Sequence, residues 1–95
     1  MARYRASVMD AESGNEGIYE FEAEDGLMET TPVRVVRKFM EYTDRKLITH
    51  QHIDYELNAA FKNDKRHVVT AMGSLVLEHE PPIPFLLMIA PVETD

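Results

Sequence analysis

The sequence predicts an α+β domain of order β-β-α-β-β-β, in which about five strands form a largely antiparallel, curved sheet and one amphipathic helix packs on it. Three observations lead there. From Ile53 to Phe61 every second residue is apolar (Ile53, Tyr55, Leu57, Ala59, Phe61), which is strand periodicity with one buried face. Two earlier stretches, residues 3–9 and 18–24, alternate in the same way and carry complementary charges. Between these regions lies one segment with helical spacing and a helix-start signal.

In the first stretch Arg3, Arg5 and Ser7 alternate with Tyr4, Ala6 and Val8; in the second, Glu20, Glu22 and Glu24 alternate with Tyr19, Phe21 and Ala23. A turn-forming loop with Gly14, Asn15 and Gly17 joins them. Matching the aromatic faces sets Tyr4 opposite Phe21 and Ala6 opposite Tyr19. The same register sets Arg5 opposite Glu20 and Arg3 opposite Glu22, so both faces select one pairing.

Thr30-Thr31-Pro32 announces the helix, with Thr31 as N-cap and Pro32 at the first helical position, where its missing N–H costs nothing. Val33 through about Asp44 follows. Val36, Phe39, Met40 and Thr43 form its apolar stripe, widened by Val33, Val35 and Tyr42; Arg34, Arg37, Lys38, Glu41 and Arg45 line the other side. Arg37–Glu41 and Glu41–Arg45 are spaced for intrahelical ion pairs.

Residues 51–78 read as a long antiparallel hairpin turning at Lys62-Asn63-Asp64-Lys65-Arg66. Its second half is apolar on both sides: Val69, Ala71, Leu75 and Leu77 share one face, and Val68, Met72 and Val76 the other. Gly73 marks a bulge or a close approach by another backbone. The run Glu78-His-Glu-Pro-Pro-Ile-Pro84 ends that strand, and Phe85 to Ala90 is continuously apolar, as a buried strand is, with Pro91 limiting it. One helix of about three turns cannot cover five strands when two are apolar on both faces. The expected answers are curvature toward a barrel or a second copy packed sheet to sheet, and a homodimer is the expectation.

The 95 residues suit a single domain, 1–95, with 44% hydrophobic and 28% charged residues. The chain has no cysteine, which excludes disulfides and thiolate chemistry. It has no apolar run of membrane-spanning length and no secretory signal, so a cytoplasmic protein with no membrane partner is expected. A net charge of −7 disfavours nucleic acid.

His50, His52, Asp54 and Glu56 fall on one face of a strand, a pattern that suits a transition metal ion. Centring the turn between Asp64 and Lys65 brings His50 opposite His79 as a further ligand; centring it between Asn63 and Asp64 puts His50 opposite Leu77. The competing account is a solvated strand face with no cofactor. The formal charges are segregated: residues 10–29 carry eight acidic and no basic side chains, and residues 30–46 five basic and two acidic. Arg34, Arg37 and Lys38 are therefore candidate contacts for an anion or a protein partner. Tyr55, Phe61, Met72 and Phe85 are either plain core or the lining of a small-molecule pocket. No Gly-rich phosphate loop, Gly-x-Ser-x-Gly elbow or His-Glu-x-x-His motif occurs. The sequence favours a non-enzymatic, self-associating accessory or regulatory module, with a metal-binding protein or metal-dependent enzyme using His50, His52 and Asp54 as the alternative.

Overall fold

A computed structural model of the protein describes residues 1–10, 16–46, 54–63, 67–76 and 80–92, with the backbone alone for 44–46. Five strands, β1 (Ala2–Asp10), β2 (Glu16–Ala23), β3 (Asp54–Asn63), β4 (Val68–Val76) and β5 (Ile83–Pro91), and one helix, α1 (Pro32–Lys46), follow the expected order. The strands form one sheet, β2-β1-β5-β4-β3, in which every neighbouring pair is antiparallel. β2 and β3 form its two edges, so the sheet is open and the barrel alternative does not apply.

The first hairpin adopts the register in which both faces agree. Tyr4 lies opposite Phe21, Ala6 opposite Tyr19, Arg5 opposite Glu20 and Arg3 opposite Glu22. Both guanidiniums converge on one carboxylate: Arg5 Nη2 is 3.1 Å from Glu20 Oε1 and Arg3 Nη2 is 3.6 Å from Glu20 Oε2. These pairs are solvent-exposed and contribute under about 1 kcal/mol each. The apolar face does more. Tyr4 and Phe21 are buried with ring centroids 5.7 Å apart, and Phe21 also packs on Phe39 and Tyr42 of the helix.

The turn after β2 is built on Gly26, whose φ of 80° lies in the left-handed region that glycine tolerates. It opens a 3₁₀ turn, Leu27–Glu29, in which Leu27 and Met28 are buried. The Tyr4 hydroxyl ties this turn to the sheet: it donates to the Glu24 carbonyl at 2.8 Å and accepts from the Leu27 amide at 3.3 Å. A single phenol thus adds a bond to each of two backbone groups that also pair with each other at 3.3 Å.

The helix starts as its sequence signal requires. Thr31 Oγ1 accepts from the Arg34 amide at 3.3 Å, the Thr31 carbonyl accepts from the Val35 amide at 3.2 Å, and Pro32 is the first helical residue. Val35, Val36 and Phe39 are buried, with Met40, Tyr42 and Thr43 half-buried. Val33, expected in the stripe, is 47% exposed. The buried stripe centres between Val36 and Phe39, which leaves Val33 at its margin in the first turn.

The second hairpin departs from the alternation read in the sequence. Leu57 pairs with Gly73 but Ala59 pairs with Met72, so Asn58 is an extra residue, a β-bulge. Past it every side chain changes face. Tyr55 and Leu57 point to the helix, whereas Ala59 and Phe61 fall on the opposite face, where Phe61 is 59% exposed; Ala60 replaces them against the core. The sequence disguises this slip because Ala59 and Ala60 are alike, small and apolar, and either can face inward. Asp54 pairs with Val76 and Asn63 with Val68, a register matching neither of the two turn centres considered for the hairpin.

Gly73 sits across from the bulge and is the close approach by another backbone. A Cβ there would collide with the Glu56 carbonyl oxygen and lie 3.1 Å from Phe85 Cζ. β5 runs on through Pro84 and Pro91, and the Val92 amide then donates to the Arg3 carbonyl at 3.0 Å.

Two substitutions test this account. Gly73→Ala is expected to destabilise the fold by roughly 1–3 kcal/mol, because the added methyl meets backbone that cannot swing aside. Tyr4→Phe is expected to cost about 0.5–1.5 kcal/mol, because the Glu24 carbonyl and the Leu27 amide lose the hydroxyl but keep their 3.3 Å bond to each other. Midpoint shifts in urea denaturation measure both.

Candidate functional site

The helix covers one face of the sheet; the other face is made by the alternate residues of every strand. Cross-strand partners share a face, which fixes its composition. One row reads Ile18, Ser7, Met88, Thr70 and Phe61 from β2 to β3. The next reads Glu16, Met9, Leu86, Met72 and Ala59. The centre of this open face is thus apolar, with Ser7 and Thr70 between the larger side chains.

Exposure confirms that no described part of the chain covers it. Ile18 is 68% exposed, Met88 47% and Met72 45%, and with Phe61 they make four of the six large apolar side chains exposed among the described residues. On β4 and β5 the opposite side of the same strands is buried, through Val69, Ala71, Phe85, Leu87 and Ile89. Both strands were expected to be apolar on both faces, and they are. Polar corners flank the patch: Arg3, Arg5, Glu20 and Glu22 at one, Asp54 and Glu56 at the diagonally opposite one.

Of the candidate metal ligands, His50, His52 and His79 lie outside the described residues. Asp54 and Glu56 are exposed at the start of β3. Among the described residues no group of three or more His, Cys, Asp or Glu side chains could hold a metal ion.

The basic helix face is partly occupied by the chain's own acids. Arg34 Nη2 donates to Glu24 Oε1 at 2.9 Å, and Lys38 Nζ lies 3.9 Å from Glu41 Oε2. Arg37 is exposed. The intrahelical contact seen is therefore Lys38–Glu41, one residue displaced from the expected Arg37–Glu41; the side chain of Arg45, in the other expected pair, lies outside those described. The space between helix and sheet is filled by rings, with Phe39 within 6.3 Å of the centroids of Tyr19, Phe21 and Tyr42. Of the four side chains considered as pocket lining, Phe85 is core, Tyr55 packs partly against it, and Phe61 and Met72 are on the open face.

Among the described residues no polar or charged side chain is buried. No helix of the described residues is long and apolar enough to cross a membrane. No protein-family model, curated protein or solved structure matches the chain.

Two-sidedness can be tested on one strand. Leu87→Ala, on the helix side of β5, is expected to cost about 2–5 kcal/mol of stability. Met88→Ala, its neighbour on the open side, is expected to stay within about 0.5 kcal/mol when the chain is dilute enough to be monomeric. Denaturation of both variants at low concentration gives the comparison.

Proposed function

We propose that the protein works by association: it is a non-enzymatic module that pairs with a second copy of itself through the open face of the sheet, in an accessory or regulatory role. The observation that carries this reading is the apolar centre of that face, with Ile18, Phe61, Met72 and Met88 about half or more exposed. Exposed apolar patches of this extent mark interaction surfaces.

Size supports a second copy as the occupant. Five strands of this length present a face of roughly 24 Å by 30 Å, or about 700 Å², close to the roughly 800 Å² per partner of a standard stable interface. The layout also suits an interface, since its apolar centre is flanked by charged corners. A two-fold sheet-on-sheet pairing is self-complementary without any further element, and aligned sheets pack about 10 Å apart through side chains of this kind. The edges are poorer docking sites. β2 carries Glu20 and Glu22, which meet like charges when two copies pair edge to edge, and β3 is interrupted by its bulge.

Light scattering on the eluting protein tests the reading. The wild-type chain is expected at twice the chain mass at micromolar concentration, and Met88→Glu and Met72→Glu at the mass of one chain with unchanged circular dichroism. Each copy has a net charge of −7, so raising salt is expected to preserve or tighten the dimer. A wild-type chain that is monomeric throughout removes the proposal.

A further inference from the structure

Three of the chain's six methionines lie together at the centre of the open face. Leu86 is flanked in its row by Met9 on β1 and Met72 on β4, and Met88 stands two residues further along β5 on the same side. Met88 and Met72 are 47% and 45% exposed, so solvent reaches them when the chain is alone. Met28, by contrast, is buried at 5%, and Met40 packs partly against the core. Met1, 81% exposed, is at the chain start, off this cluster.

We infer that Met72 and Met88 form an oxidation site that controls assembly: a peroxide converts them to sulfoxides and the sheet-to-sheet dimer separates. The inference rests on the self-association reading above. In the chemical step the thioether sulfur attacks one peroxide oxygen. An S–O bond forms as the O–O bond breaks, sulfur loses two electrons, the peroxide is reduced, and the other oxygen leaves as hydroxide and becomes water by taking the one proton that the transferred oxygen gives up. The product replaces a soft apolar side chain with a strongly polar one. In the separated chain that change is tolerated because water solvates the new oxygen. In the dimer the oxygen is buried between two apolar sheets without a donor, which is costly. Linkage then requires that oxidation weaken association and that association protect the sulfurs.

Methionine is also the residue type that makes both states workable. Its unbranched, polarizable side chain packs adaptably against a partner surface, and leucine matches its volume without the reactive sulfur. Met72→Leu/Met88→Leu therefore separates packing from chemistry.

The test treats full-length wild-type protein and this double variant with hydrogen peroxide, reads the sulfoxides by peptide mass spectrometry, and measures dimer dissociation by sedimentation. Wild type is expected to acquire sulfoxide at Met72 and Met88 before Met28 and to dissociate roughly tenfold or more readily. Dithiothreitol with both classes of methionine sulfoxide reductase is expected to restore the dimer. The double variant is expected to dimerise and ignore peroxide. A wild-type dimer that keeps its affinity with both residues oxidised overturns the inference and leaves self-association standing, as does a double variant that dissociates equally on treatment. A wild-type chain that never dimerises removes both.

Discussion

The structure depends on one connection. β2 and β3 are the two edges of the sheet, and α1 is the longest described element between them in the chain, so the helix carries much of the crossing from one edge to the other. Its 15 residues span about 22 Å, against about 19 Å between the axes of the outer strands. A helix with that task lies on a single face. Its buried residues Val35, Val36 and Phe39 are then fixed against that face, and so are Tyr4, Phe21, Leu87 and Ile89 below them. The same geometry leaves the other face without a helix. Exposure of Met72 and Met88 is thus a direct consequence of how the two hairpins are tied together.

Where two independent signals agreed, the sequence was legible to the residue. The β1–β2 register was specified twice, by aromatic matching and by arginine–glutamate matching, and the structure adopts it. The helix start was specified by Thr31 and Pro32 together. Where only one signal was available, it failed at the point of ambiguity. The alternation along β3 relied on apolar period alone, and Ala59-Ala60 left that period free to slip. The 3₁₀ turn at Leu27–Glu29 is three residues long and has no periodicity to read, and one of its anchors is the distant Tyr4 hydroxyl. The open face was half legible. The two-sided apolarity of residues 68–77 and 85–90 pointed to it, but Phe61 belonged to it only after the bulge. Ile18 was in phase with Glu20 and Glu22 on the outward side, a signal that its apolar character obscured. The histidine pattern at His50 and His52 falls on residues outside the described structure.

The bulge and Gly73 are two parts of one local solution. An extra residue at Asn58 bends β3 and brings the Glu56 carbonyl onto β4, and only glycine leaves room for it there. The gain is on the open side. The face change moves Phe61 into the row with Met88 and Thr70, extending the apolar surface to the outermost strand. Without the bulge Phe61 would face the helix side, at the end of the sheet that Lys62 now occupies with partial burial. One inserted residue thus both interrupts an edge that strands could add to and broadens the face that a sheet could pack on.

The composition of that face bears on how firmly a partner holds. A permanent interface resembles a core cut in half and is apolar throughout its middle. Here Ser7 and Thr70 alternate with Ile18, Met88 and Phe61 along the central row, and none of these five is fully buried. The hydroxyls keep the uncovered face compatible with water, which a continuous run of valine and isoleucine at the same positions would not. They also reduce the apolar area removed from water on pairing. A face built this way favours a reversible partner over a permanent one. Reversibility is also what gives an oxidant access to the sulfurs, because each separation of the proposed dimer exposes Met72 and Met88 while Met28 stays buried in the core.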